Sequence, residues 1–380
     1  MIISVAKEIT KGEKRVAIVP ESISKLTKIG HAVQIEAGAG KASGFSDEEY
    51  AEAGAKIISD IAALYSGTDL LLKVQPPEVH PSAGKHELEM LKPGALLIGF
   101  LFSLINIEAV KKAASLKIDM ISMDAIPRIT RAQRMDALSS QTNLAGYKAV
   151  LMAANEINKI FPLMMTAAGT ISPAKVVILG AGVAGLQAIA TAKRLGAVVE
   201  VSDVRPAVKE QVESLGAKYI EPPGEELEGS GGYAKEASAE YLQKQQDILT
   251  EHLSEADAVI TTAQVPGKKA PVLITEAMVQ RMKPGAVIVD MAAGTGGNCE
   301  LTKPDQTIEI SGVKIIGDVN IISHVAYNAS QLYSRNLLSL IEYLTDNGSL
   351  KLELTDEIVA GSMICKDGQI VHEATKAAAN

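Results

Sequence analysis

The feature that most constrains the fold is an aliphatic run, Val176-Val177-Ile178-Leu179, followed at once by Gly180-Ala181-Gly182-Val183-Ala184-Gly185. Consecutive aliphatic, mostly β-branched residues suit a strand covered on both faces, and such strands belong to parallel sheets. The three glycines have separate reasons. Gly180 permits a tight turn out of the strand. Gly182 lets backbone N–H groups approach a pyrophosphate at a helix N-terminus, and Gly185 lets that helix pack closely on the strand. A second strand, expected at Val198–Val201, leads to Asp203. Strand, glycine turn, helix, strand and acid in this order form the dinucleotide-binding fingerprint, with Val183 inside it. The Asp203 carboxylate suits the adenosine ribose hydroxyls and repels a 2′-phosphate, which favours NAD over NADP. Arg205 argues the other way, because a nearby arginine can pair with a 2′-phosphate.

The same rhythm runs through all 380 residues. Strands are expected at Ile2–Val5, Ala32–Ile35, Leu70–Val74, Ala95–Gly99 and Asp119–Met123, with helices between them. They continue at Lys175–Leu179, Val198–Val201, Lys218–Ile220, Ala258–Thr261, Ala286–Asp290 and Lys314–Ile316. Alternation of this kind predicts an α/β chain. The expected architecture is two Rossmann-like doubly wound parallel-sheet domains separated by a cleft. Two long helices, Ser140–Phe161 and Val325–Leu344, are expected to link them. The first domain is then discontinuous, residues 1–137 plus 327–380, and the NAD(H)-binding Rossmann domain is residues 138–326. Met282-Lys-Pro-Gly-Ala286 echoes Leu91-Lys-Pro-Gly-Ala95. The echo fits two similarly wound halves, but Lys-Pro-Gly is also a common helix-to-strand turn, and that plainer reading is favoured. Glu221–Glu236, rich in Gly, Glu and Pro, reads as a long loop of the kind that acts as a lid.

Several classes are disfavoured. The net charge is −8, and no Lys/Arg block forms a nucleic-acid footprint. Two cysteines make no disulfide framework and no zinc spacing, so no metal site is expected. The longest apolar run, Ala95–Ile107, is broken by Ser103 and Asn106 and is too short for a bilayer. No signal peptide begins the chain. A soluble cytoplasmic protein is expected, able to sit beside a membrane partner.

Alcohol and 2-keto-acid dehydrogenases need an acid/base to move a proton with the hydride. None of the six histidines falls between His86 and His252, and the strand ends Gly99–Leu104 and Asp290–Gly297 lack a His–Asp pair. Exchange of hydride between two nicotinamide rings needs no such group; it needs positioning and exclusion of water. The polar segment Arg128-Ile-Thr-Arg-Ala-Gln133-Arg-Met-Asp136-Ala-Leu-Ser139 suits a nicotinamide carboxamide and ribose. It equally suits a helix-entry loop, with Asp136 as a charge at a helix N-terminus.

Arg128–Ser139 with Ser140-Gln-Thr-Asn-Leu-Ala-Gly-Tyr147 resembles the Arg-Gln-Asp loop of domain I of proton-translocating transhydrogenases. Phe161–Thr170, Gly180–Gly196, Lys209–Gly216, Gly231–Glu236 and Thr261-Thr-Ala-Gln-Val-Pro-Gly267 extend the resemblance, which runs from Lys7-Glu8 to His372. It implies that Arg128, Asp136 and Ser139 hold the nicotinamide of NADH. Gln133 is the implied catalytic residue, reaching toward NADP(H) on a partner. Gly232 and Tyr233 fall on a loop that closes over the nucleotide, and Gln264 is a further nucleotide contact. The implied partners are an NADP(H)-binding domain, a membrane domain with the proton path, and a second copy of the chain. The chain is then peripheral on the cytoplasmic face of the inner membrane, as a separate subunit or an excised domain. It is inactive in the full reaction without its partners.

The related alanine dehydrogenases offer a rival. Arg15 and Lys73 match positions that hold the keto acid there. The catalytic His expected after Gly99 and the Asp expected near Gly294 are missing, so Arg15 and Lys73 are expected to be relics or ion-pair partners. A non-catalytic NAD(H)-binding regulatory module is the third reading.

Overall fold

A computed structural model describes residues 1–223, 239–265, 267–346 and 348–379. The chain divides into two compact units, residues 1–141 with 323–380 and residues 142–322. The division falls inside the helix Ala137–Glu156.

The first unit carries an eight-stranded sheet. Its six parallel strands, in sequence order Ile2–Val5, Ala32–Glu36, Lys56–Ile58, Leu70–Leu72, Leu96–Gly99 and Asp119–Ser122, lie in the spatial order third, second, first, fourth, fifth, sixth. That is the dinucleotide-fold order. Met363–Lys366 and Gln369–Ile370 extend the sixth strand antiparallel. Strand side chains alternate between faces. Leu70 and Leu72 therefore join one cluster with Tyr333, Leu337 and Ile341 of the helix Ala326–Leu344, while Leu71 joins another with Leu64, Val110 and Ala113.

The second unit carries seven strands. Lys175–Leu179, Val198–Ser202, Lys218–Tyr219, Ala258–Thr261 and Val287–Asp290 repeat the order third, second, first, fourth, fifth; Val313–Ile316 follows in parallel and Thr307–Ile310 closes the edge antiparallel. Val176 and Ile178 pack with Ala149, Ala153 and Ala188; Val177 and Leu179 pack with Leu249, Leu253 and Val279. Small residues permit close helix contact, since a Cβ on Gly146 would lie 2.1 Å from the Ala184 carbonyl oxygen.

The repeated Lys-Pro-Gly segments occupy equivalent places. Gly94 and Gly285 have φ of 82° and 86°, and Ala95 and Ala286 each donate back to the Lys carbonyl at 3.1 Å. Each turn leads into the fifth strand of its sheet. Together with the shared strand order, this makes the echo a mark of two similarly wound halves rather than a coincidental connector.

The linking helix expected at Ser140–Phe161 instead covers Ala137–Glu156, and Val325–Leu344 is matched by Ala326–Leu344. Unforeseen was an exposed hairpin, Met164–Thr166 with Gly169–Ile171. Both cysteines are buried free thiols; burial raises the pKa of Cys299 and pushes that of Cys365 up to about 12. Among the described residues no helix is long and apolar enough to cross a membrane.

Candidate functional site

In the second unit the fingerprint occupies the point where strand order reverses, between the first strand and its neighbours Val198–Ser202 and Ala258–Thr261. Ligands of open α/β sheets bind at such points. Gly180 has φ 105°, and a Cβ there would lie 2.5 Å from Thr262 Oγ1. A Cβ on Gly185 would come to 1.9 Å from the Gly180 carbonyl oxygen, so the helix Val183–Arg194 can approach the strand only because residue 185 is glycine. Gly182 differs. It is exposed at the N-cap, no side chain caps the helix, and a Cβ there would meet nothing within 4 Å. Uncapped N–H groups facing open space suit a phosphate, so the chain's own residues fit a dinucleotide.

Asp203 follows the second strand and is buried. Its carboxylate accepts from the Ala181 N–H at 2.7 Å and the Arg205 N–H at 2.9 Å. It also accepts a two-pronged fork from Arg205, Nε at 2.9 Å and Nη2 at 2.8 Å. Burial alone would raise its pKa; the Arg205 fork and the Ala181 amide outweigh that and hold it below the usual value. On the other side, the loop after Thr261 is pinned by Asn298, which the sequence reading missed. Its Oδ1 accepts from the Ala263 N–H at 3.1 Å, and its Nδ2 donates to the Ala263 and Pro271 carbonyls at 2.8 Å. A lone amide in the glycine run Gly294–Asn298 was the available signal. Gln264 on this loop is exposed, with Nε2 donating to the Met291 carbonyl at 3.0 Å.

Asp290, at the end of the fifth strand, is fully buried. It accepts from Thr261 Oγ1, the N–H groups of Ala292, Asn298 and Cys299, and Thr302 Oγ1, at 2.6–3.0 Å. An acid so engaged organises its loop and is poorly placed to shuttle protons.

In the first unit, Thr130–Met135 forms a short 3-10 helix with Ala132 and Met135 buried, and it leaves Arg128 and Gln133 exposed. Asp136 accepts from the Ser139 N–H at 2.8 Å and from Ser139 Oγ at 2.6 Å. It therefore acts as the N-terminal cap of the helix Ala137–Glu156. Asn336 steadies the segment by donating to the Arg134 carbonyl at 2.8 Å. The segment thus brings Arg128, Gln133, Asp136 and Ser139 together. The second unit gathers Gly180, Gly182, Val183, Gly185, Asp203 and Arg205 at one sheet edge, with Gln264 on an adjacent loop. Gly232 and Tyr233 lie outside the described residues.

The first unit also buries an ionic cluster. Lys73 is fully buried, with Nζ 2.6 Å from Glu87 and 3.7 Å from Glu8. Arg15 contacts Glu13 through Nε at 2.8 Å and Nη2 at 2.6 Å, and donates to Gln141 at 2.9 Å. Burial acts to raise the Glu13 pKa, but the Arg15 guanidinium outweighs it and brings it to about 2. Burial pushes Glu8 up to about 7, against the pull of Lys73. Both cations are engaged by the chain's own carboxylates, as ion-pair partners would be. The end of the fifth strand here presents Phe100, Leu101, Phe102, Ser103 and Leu104, with no histidine. Among the described residues no His/Cys/Asp/Glu group could hold a metal ion.

The model of the alanine dehydrogenase/PNT N-terminal domain matches residues 4–145, and that of the C-terminal domain matches residues 149–373. The leading portion of NAD(P) transhydrogenase subunit alpha from Rickettsia prowazekii is 48% identical over 373 residues, covering 98% of this chain and 96% of that protein. The alanine dehydrogenase of Halomonas elongata is 29% identical over 381 residues, covering 98% and 95%. The crystal structure of transhydrogenase from Sinorhizobium meliloti superposes with a TM-score of 0.85 at 42% identity, covering 98% of this chain and 100% of that one. The chain belongs to the alanine dehydrogenase/PNT family, among the NAD(P) transhydrogenase alpha subunits.

Proposed function

We propose that this chain is the NAD(H)-binding component of a proton-translocating transhydrogenase, delivering hydride from NADH to NADP⁺ on a partner domain. A membrane domain elsewhere in the complex would couple the transfer to proton movement. The observation that carries the reading is the state of the two fifth-strand ends. One has no acid or base, and the acid of the other, Asp290, is engaged by five donors. Reduction of a keto acid needs a proton donor there; exchange between nicotinamide rings does not.

In this reading the dinucleotide supplies the hydride, and the chain's residues position it. The N–H groups after Gly182 bind pyrophosphate, with Val183 beside them, and Asp203 binds the adenosine ribose near Arg205. Arg128, Asp136 and Ser139 orient the nicotinamide, and Gln264 is a further contact, as are Gly232 and Tyr233. Gln133, a neutral amide with both donor and acceptor, serves the approach of the second nucleotide without adding charge near the moving hydride. The chain works as a homodimer, at the cytoplasmic side of the membrane through its partners.

The test mixes the pure chain with NADH, pyruvate and ammonia, and separately with an NADP(H)-binding partner domain and an NADP⁺ analogue. Transfer should occur only in the second mixture. Turnover in the first that depends on Arg15 or Lys73 would make the chain an alanine-type dehydrogenase. NADH binding without transfer in either would leave a regulatory module.

A further inference from the structure

The Asp203 carboxylate has no spare capacity. A carboxylate offers about four lone-pair positions. In this structure they face the Ala181 N–H, the Arg205 N–H, and Arg205 Nε and Nη2. A ribose diol brings two O–H donors and needs two of those places. The backbone donors are fixed by the turn after the first strand and by the chain leading to Pro206–Val208. The guanidinium is the movable member, with its side chain 26% exposed against 6% for that of Asp203.

We propose that Arg205 is an internal competitor for the ribose subsite: its fork closes Asp203 in the free chain and must swing away before a nucleotide seats. The inference rests on the proposal that Asp203 binds the adenosine ribose. It makes Arg205 a specificity-determining residue of an unexpected kind. NAD(H) gives up the Asp203–Arg205 pair when it binds. A ribose carrying a 2′-phosphate would find the released guanidinium as a new partner. Arg205 thus narrows the preference that Asp203 creates, weakening the unphosphorylated nucleotide and helping the phosphorylated one. The unbound pair meanwhile spares Asp203 the cost of a buried, unpaired charge.

The test is calorimetric titration of the full chain and its Arg205→Gln variant with NADH, NADPH and the NADH analogue whose adenosine ribose lacks the 2′-hydroxyl. Circular dichroism and thermal unfolding check the fold. The variant should bind NADH about threefold tighter or more, the scale of one partly exposed ion pair. It should bind NADPH no tighter, and the gain should shrink for the deoxy analogue, which offers Asp203 one donor fewer. If a folded Arg205→Gln binds NADH more weakly, Arg205 is a direct ligand contact and the competitor role is wrong; unchanged NADH affinity rejects it equally. An Asp203→Ala variant separates the underlying reading. If it binds NADH as the wild type does, the ribose assignment fails and the competitor role fails with it. If it loses affinity while Arg205→Gln gains none, only the competitor role falls. Arg205→Lys, a cation without the planar fork, gives an independent check and should behave more like Arg205→Gln than like wild type.

Discussion

Replacing Gly182 and Gly185 by alanine, one at a time, should separate the two jobs of the fingerprint turn. An alanine Cβ at residue 185 would sit 1.9 Å from the Gly180 carbonyl oxygen, and ordinary contact begins at 3.4 Å. The helix Val183–Arg194 must therefore retreat by about 1.5 Å, against a neighbourhood in which Ala188, Ile189 and Ala192 are already buried. Overpacking of this kind costs about 1–3 kcal/mol. Alanine recovers roughly 0.5–1 kcal/mol through its better helix propensity. The net loss is about 1–2 kcal/mol, a fall in Tm of roughly 2–8 °C for a unit of this size. At residue 182 the Cβ meets nothing within 4 Å, and φ is −76°, so the folded chain tolerates the methyl. Alanine is a poorer N-cap than glycine by only about 0.5 kcal/mol. The methyl would, however, stand where the pyrophosphate is proposed to approach. Gly182→Ala should keep its Tm within roughly 2 °C while NADH affinity falls at least about tenfold, equivalent to 1.4 kcal/mol. Differential scanning fluorimetry and calorimetric titration read the two effects apart. Wild-type affinity in Gly182→Ala would show that no phosphate approaches that backbone; unchanged stability in Gly185→Ala would show that the close approach of helix and strand is dispensable.

Asp136→Asn should keep the helix cap and lose NADH affinity if the carboxylate binds nucleotide, whereas Asp136→Ala should also lose about 1 kcal/mol of stability by urea unfolding; full affinity in both variants would reduce Asp136 to a cap. Gln133→Asn should leave NADH binding intact and slow single-turnover transfer to a bound NADP⁺ analogue about tenfold, and a wild-type rate in stopped-flow would remove Gln133 from the chemistry. Glu8 ionises near 4.5 when unfolded and at about 7 when folded. The folded chain therefore holds the extra proton between those values, so its stability falls as pH rises through that window, by on the order of 3 kcal/mol. Glu13, brought to about 2, acts oppositely: its contribution is complete above pH 4.5 and is lost as pH falls toward 2. Urea midpoints between pH 3 and 8 should show both slopes, and Glu8→Gln should abolish the upper one; a slope that survives would place the titration elsewhere.

What could be read in the sequence was whatever periodicity and turn chemistry encode locally. Leu70-Leu71-Leu72 and Val176–Leu179 announce strands buried on both faces, and both are found. Lys56–Ile58 escaped notice because it is short and nowhere fully buried, and Met363–Lys366 because its place is set by pairing with a strand far back in the chain. The glycine fingerprint was legible for the same reason as the strands, since each glycine answers a nearby steric demand. The Arg205 fork was not, because adjacency along the chain does not say whether a guanidinium turns toward a carboxylate or away from it. Nor was the pairing of Lys73 with Glu87 and Tyr65 with Glu87, which meet only after the sheet forms. Arg15 and Lys73 were recognisable as unusual cations, but their carboxylate partners were not.

The two buried thiols have a practical consequence. Thiolates, not thiols, react with maleimides and nitroxide reagents, and burial keeps Cys299 and Cys365 protonated. With no tryptophan in the chain, it is also nearly dark to the usual intrinsic fluorescence. A single cysteine introduced on an exposed face would thus carry a spin label or dye against an almost silent background, and a single tryptophan would report from one place alone. Distances between labels on the two units could then be followed as nucleotide is added, without first stripping the native sequence of competing probes.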